Sequence, residues 1–176
     1  VTAADLARVY GNANPGLTFN ITGFIDGDTA GSLTGAPVLT TLAGLVSDVG
    51  DYGITATQGT LFSAQGYQFN FVDGLLTVTP RALTVSADAL SRIYGNANPA
   101  LTYTLGGLGL VNGDTLSGAL ATTAGLTSDV GSYAITQGTL AAGSNYALTY
   151  NGAELTVTPR ALTVSADALS RIYGNA

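Results

Sequence analysis

The sequence holds no cysteine, histidine, methionine, tryptophan or lysine, and each absence closes a class of chemistry. Without thiols or imidazoles there is no disulfide, no thiolate metal site and no Cys- or His-based catalysis. Without lysine there is neither a Lys–Asn isopeptide cross-link nor a Schiff base. Charge is also scarce: 9% of 176 residues, five arginines against ten aspartates and Glu154, for a net −6. A nucleic-acid interface needs clustered cations to neutralise phosphate, so the sign is wrong for that partner. No catalytic residue is assigned, and the chain is not expected to be an enzyme.

Long apolar runs are missing too. The longest uncharged stretch, 130–153, is broken by Gly, Ser, Gln and Asn and does not read as a membrane helix. What remains is 46% hydrophobic with 24 glycines, too apolar for a disordered linker. Starting at Val1 without an export leader, the sequence reads as an internal window of something longer. A cysteine-free, weakly charged composition suits a bacterial protein that is exported unfolded. The expected location is therefore extracellular, at the bacterial surface or secreted.

The chain is a tandem repeat. Val1–Pro15 (VTAADLARVYGNANP) returns as Val85–Pro99 (VSADALSRIYGNANP) and again from Val164. Leu76–Ala97 and Leu155–Ala176 are identical over 22 positions, which only duplication explains. Other landmarks recur in order: Gly27-Asp28-Thr29 with Gly113-Asp114-Thr115, Ser47-Asp48-Val49-Gly50 with Ser128-Asp129-Val130-Gly131, and Tyr67 with Tyr146. A unit of about 80 residues is large enough to bury a modest core alone, unlike a short solenoid repeat.

Each unit reads as mostly β. Leu76–Thr79, Ala82–Ala87 and Leu155–Thr158 alternate apolar and polar residues, the period of a half-buried strand. Leu101–Thr104 and Tyr133–Thr136 are expected strands as well. Asn151-Gly152 between Tyr146–Tyr150 and Leu155–Thr158 predicts a hairpin, and Asp73-Gly74 predicts its counterpart. Helical signals are few: Ala87, Leu90, Ile93 and Tyr94 at helix-like spacing, and a short turn capped by Asp114 or Thr115 and running to Leu120.

The apolar phase flips across Thr79-Pro80-Arg81, and Pro80 lacks the N–H of a central ladder. Pro80, Arg81, Pro159 and Arg160 therefore mark domain junctions. They divide the chain into repeat 1 (1–80), repeat 2 (81–159) and the first strand of a truncated third repeat (160–176). With almost no linker, the expectation is an elongated, rather stiff rod whose neighbouring repeats are each other's partners.

The run Tyr-Gly-Asn-Ala-Asn-Pro, Leu-Thr-Tyr, Asn-Gly-Asp-Thr, Val-Gly-Ser-Tyr, Asn-Tyr and Leu-Thr-Val-Thr-Pro resembles the MBG domain of the YGX type. The resemblance covers both full repeats and the segment after them. It implies small mostly-β domains in tandem, β-grasp-like, within large secreted or surface-anchored bacterial adhesins of filamentous-haemagglutinin-like kind. The family offers no catalytic residues to carry over. An immunoglobulin-like β-sandwich stands as the alternative fold, because Tyr52 and Tyr133 in Asp-Val-Gly-x-Tyr resemble a tyrosine corner.

Binding candidates are sparse. Asp26, Asp28, Asp48 and Asp51 lie in turn-rich segments and are oxygen donors of the type Ca²⁺ uses. No calcium-loop pattern surrounds them, and repeat 2 keeps only Asp114 and Asp129, so turn-forming and capping roles are favoured. No cofactor is expected, with Ca²⁺ the one alternative. The glycine run Leu105–Gly109 lacks a phosphate loop's spacing and lysine, and reads as a loop or bulge. Tyr67 and Tyr146 are the residues assigned to contact with host or matrix glycans, should the units be a surface-binding module. Tyr10, Tyr94 and Tyr173 read as packing near the junctions. Arg81 and Arg160 are expected to pair with a neighbouring Asp.

Three functions follow in order of preference. The first is a structural extender or stalk of an extracellular adhesin or fibre. The second is the glycan-binding module. The third is a fibre subunit that self-associates by strand addition through 160–176, since a lone strand does not stay folded.

Overall fold

A computed structural model describes residues 1–174, and short strands account for nearly all of its regular structure. The first unit contains β1 (Thr2–Ala3), β2 (Leu6–Val9), β3 (Phe19–Asn20), β4 (Leu33–Thr34), β5 (Val38–Thr41), β6 (Gly50–Thr57), β7 (Phe62–Ser63) and β8 (Gly74–Thr79). The second contains β9 (Arg81–Ala87), β10 (Leu90–Ile93), β11 (Tyr103–Gly107), β12 (Ala121–Thr122), β13 (Gly131–Thr136), β14 (Tyr146–Asn151) and β15 (Ala153–Thr158).

The duplication is visible in the pairing. The main sheet runs β2-β8-β6-β5 in the first unit and β10-β15-β13-β12 in the second. In each, the opening strand lies parallel to the last one and the other neighbours are antiparallel. Register is kept: Arg8 lies opposite Val78, and Arg92 opposite Val157. A second sheet, β11-β9-β14, completes the second unit. Its counterpart in the first unit is reduced to β1-β3 and a parallel bridge between Thr2 and Val72.

Alternation decides which residues go inside. Leu76 and Val78 on β8, Leu83 and Val85 on β9, and Leu155 and Val157 on β15 are at most 1% exposed. One core gathers Ala3, Ala43, Ile54, Ala56 and Leu76 in the first unit. Another gathers Ala124, Ile135 and Leu155 in the second, with Ala87 and Leu90 against it. Both draw on both sheets of their unit. A third cluster joins Tyr10 and Val78 of the first unit to Leu83 and Tyr146 of the second, so the junction is packed.

The mostly-β expectation holds, and the described residues include no α-helix. The one helical piece is a 3-10 turn at Ala30–Ser32, capped by Thr29. The cap expected at Asp114/Thr115 is thus realised at the equivalent site of the first unit. The helix-like spacing of Ala87, Leu90 and Ile93 belongs to two strands, β9 and β10. Asp88-Ala89 carries the chain from one sheet to the other, so Ala87 and Leu90 reach the same core although three positions apart.

Asn151-Gly152 is not a hairpin turn, and neither is Asp73-Gly74. Strands β14 and β15 belong to different sheets, and none of these four residues has a left-handed φ. The glycines serve close approach instead. A Cβ on Gly74 would stand 2.9 Å from the carbonyl oxygens of Ala3 and Ala4, and one on Gly152 3.1 Å from that of Ile135. Crossing from one layer to the next demands that proximity. The expected strand at Leu101–Thr104 begins two residues later, as β11. Ala161–Ile172 forms no strand pairing and is exposed.

Candidate functional site

The feature that concentrates polar chemistry is the junction. Strand β8 ends at Thr79, Pro80 follows without an N–H to place, and β9 starts at Arg81. The Arg81 guanidinium grips both units. Its Nη1 donates to the main-chain oxygen of Tyr10 and to Asn12 Oδ1, both at 3.2 Å. Its Nε and Nη2 donate to the carbonyls of Gly109 (2.9 Å) and Leu108 (2.5 Å) in the second unit. The expected Arg81–Asp pair is not formed, because main-chain oxygens of the two converging loops meet the planar fork first.

Asn145 supplies the second tie. Its side-chain oxygen accepts from the Val49 N–H at 2.9 Å, its amide donates to Asp48 at 2.7 Å, and its main-chain oxygen accepts from the Arg81 N–H at 2.9 Å. The third tie is Asp114. One carboxylate oxygen accepts from the hydroxyls of Tyr146 (2.8 Å) and Tyr10 (3.1 Å). The Val111 N–H donates to the Tyr146 hydroxyl at 3.0 Å. Burial raises the Tyr146 phenol above its usual 10.0; the Asp114 carboxylate adds to this and the Val111 amide opposes it. Val78 and Leu83 pack beneath, from opposite sides of Pro80.

A pair that the motif contains, but that was not singled out from sequence, holds each unit's own rim. Arg8 is 6% exposed and so is Arg92. Arg8 donates to Asn14 Oδ1 at 2.7 Å and to the Gly44 carbonyl at 2.5 Å, and Asn14 donates to the Ala43 carbonyl at 2.7 Å. Arg92, Asn98, Gly125 and Ala124 repeat the pattern. The guanidinium is thus buried against neutral oxygens. The signal was present: an arginine with an asparagine six residues on, in both copies. The Tyr-Gly-Asn-Ala-Asn-Pro run now divides by role. Tyr10 and Asn12 face the next unit, and Asn14 closes its own.

The other assigned residues separate. Tyr146 is buried in the junction, its ring edge-on to Tyr10. Tyr67 is half-buried, edge-on to Phe24, with its hydroxyl donating to Asp28 at 2.8 Å. Asp28 also accepts from Ser32, Asp48 from Asn145, and Asp51 from Thr77. Asp26 sits exposed in a left-handed turn at φ 54°. Among the described residues, no three Asp, Glu, His or Cys side chains come together as a metal cluster. Tyr52 and Tyr133 donate to the carbonyls of Asp48 (2.9 Å) and Asp129 (3.0 Å), the back-bond expected of a tyrosine corner. Gly107 and Gly109 take left-handed turns at the end of β11, and the carbonyls of Leu108 and Gly109 reach Arg81. Pro159 is exposed. Arg160 donates to the Tyr94 carbonyl at 2.8 Å and to Asn96 at 2.5 Å, the upstream half of the Arg81 clamp. Tyr173 is exposed. No described helix is long and apolar enough to cross a membrane.

No curated protein and no solved structure matches the chain. One family does, twice, at residues 1–77 and 83–156, each match taking in a complete arginine–asparagine rim. Repeat domains of this kind fit surface proteins generally. The chain belongs to the MBG domain family, YGX type.

Proposed function

We propose that the units are extender repeats of a bacterial extracellular adhesin or fibre, holding a binding tip away from the surface. Their work is mechanical, and their partners are the neighbouring repeats. One observation carries this reading: the junction is packed and hydrogen-bonded by motif residues, Tyr10, Asn12 and Arg81, that recur as Tyr94, Asn96 and Arg160. A junction written into the repeat itself gives successive units the same relation, which is what a stiff stalk needs. A free linker would let each unit reorient.

Electron microscopy of chains with increasing numbers of repeats tests it. Rods that lengthen linearly with repeat number are expected. Collapsed particles of variable shape would overturn the proposal.

A further inference from the structure

Val1 corresponds to Val85, so the first unit as given has no residues in the place that Arg81–Thr84 take in the second. There, Arg81–Thr84 lie parallel to Tyr146–Thr149, with Thr84 and Leu83 antiparallel to Gly106 and Gly107. In the first unit the same place is a cleft of about 360 Å³ between Ile21–Phe24 and Tyr67–Asn70. The ladder that would line it has already begun. The Val1 amino group donates to the Asn70 carbonyl at 2.7 Å, and the Val72 N–H to the Val1 carbonyl at 2.9 Å.

The same chain carries a strand of the right sequence with no sheet to join. Arg160–Ala166 is identical to Arg81–Ala87. Leu162 is 87% exposed, whereas its counterpart Leu83 is 1% exposed. We propose that Arg160–Thr163 of one copy fills the cleft of a second copy, joining copies head to tail. From Val164 onward the donor turns away, because the acceptor's own Val1–Ala3 holds that part of the ladder.

The surfaces flanking the strand match in the same way. Tyr94 is 41% exposed where Tyr10 is buried, and Val130 is exposed where Val49 is half-buried. Tyr94, Val130, Pro159 and Leu162 line one open face. On the other side, Phe24, Ile25, Asp28 and Tyr67 hold the positions of Leu110, Val111, Asp114 and Tyr146. The Ile25 N–H–Tyr67–Asp28 chain is already formed, at 3.2 and 2.8 Å. Docking therefore places the Tyr94 hydroxyl at Asp28, as the Tyr10 hydroxyl is placed at Asp114. One tie is not reproduced: Gly66 stands where Asn145 bridges Asp48 and Val49, so the contact between copies is weaker than the internal junction.

Sedimentation of the full chain over a wide concentration range tests this. Dimers and longer linear species are expected to grow with concentration. Leu162→Asp changes a residue that is exposed in the single chain, so the fold, followed by circular dichroism, is retained. It is expected to raise the dissociation constant more than about tenfold, the equivalent of losing one buried leucine. A chain extended before Val1 by Arg-Ala-Leu-Thr fills its own cleft and is expected to stay monomeric. A full chain that is monomeric throughout, or association that survives both changes, overturns the proposal. A rod-shaped monomer would do so while leaving the stalk reading intact.

Discussion

Tyr10 of the first unit meets Tyr146 of the second edge-on, ring centroids 5.7 Å apart and planes at 77°, and both hydroxyls converge on Asp114. An ionised Tyr146 would set a phenolate beside that carboxylate in a buried place.

This arrangement predicts an alkaline limit. The folded chain holds the Tyr146 proton above pH 10.0, and burial alone does the same for Tyr150. The unfolded chain gives up both near the usual value. Above pH 10 the unfolded state thus binds fewer protons, and stability falls as pH rises; below it the contribution is flat. The urea midpoint should hold through neutral pH and drop from about pH 10 upward. Tyr146→Phe should shallow that drop, leaving the part due to Tyr150, at a neutral-pH cost of about 1 kcal/mol for the lost hydrogen bonds. An unchanged alkaline slope in that variant would refute the assignment.

Arg81 predicts asymmetry between the two junction arginines. Arg81→Ala orphans carbonyls on both units and should cost about 2–3 kcal/mol, the range for hydrogen bonds to a charged group. Arg81→Lys should recover little, since an ammonium cannot span four acceptors in one plane. Arg160→Ala, at an exposed site contacting only the second unit, should leave the thermal midpoint nearly unchanged. Equal losses from the two alanine variants would deny Arg81 its bridging role.

How much of this was readable beforehand depends on range. Alternation at Leu83 and Val85 is local, so β9 was visible. The Tyr52 and Tyr133 back-bonds span four residues inside one motif, so they were visible too. Asn151-Gly152 misled because a crossover between layers and a hairpin use the same turn residues. Nothing nearby states which sheet the next strand joins. Arg8 was passed over because arginine is an exposed type by habit. Its burial depends on carbonyls at Ala43 and Gly44, supplied from a distant loop. Asn145 was hidden by the repeat comparison itself, which shows it only as a difference from Gly66.

Gly11 and Gly95 make a controlled pair. Both have left-handed φ, +77° and +80°. A Cβ on Gly11 would come 2.4 Å from Val111 Cγ2, across the junction, while one on Gly95 meets nothing nearer than Arg160 at 3.6 Å. Each Ala variant should lose about 1 kcal/mol to backbone strain. Gly11→Ala should lose a further 1–3 kcal/mol, roughly the cost of overpacking, unless Val111 moves. Double substitution with Val111→Ala should restore the excess. If the two glycines respond alike, the junction is looser than the contacts imply.

The arginine–asparagine rim yields the last prediction. Arg8→Ala removes the donor that satisfies Asn14 Oδ1 and the Gly44 carbonyl. Asn14→Ala leaves a buried guanidinium N–H and the Ala43 carbonyl without partners. Each change alone should cost about 2–3 kcal/mol, because an orphaned buried group bears its whole desolvation penalty. With both removed, the Arg8–Asn14 contact is no longer there to lose twice. The double variant should therefore fall short of the sum by about 1 kcal/mol or more. Arg92 and Asn98 should show the same coupling in the second unit. Equilibrium unfolding of the four variants in each unit gives the cycle directly. Strict additivity would mean that the two side chains stabilise the rim separately, and that their shared place in the Tyr-Gly-Asn-Ala-Asn-Pro run has another cause.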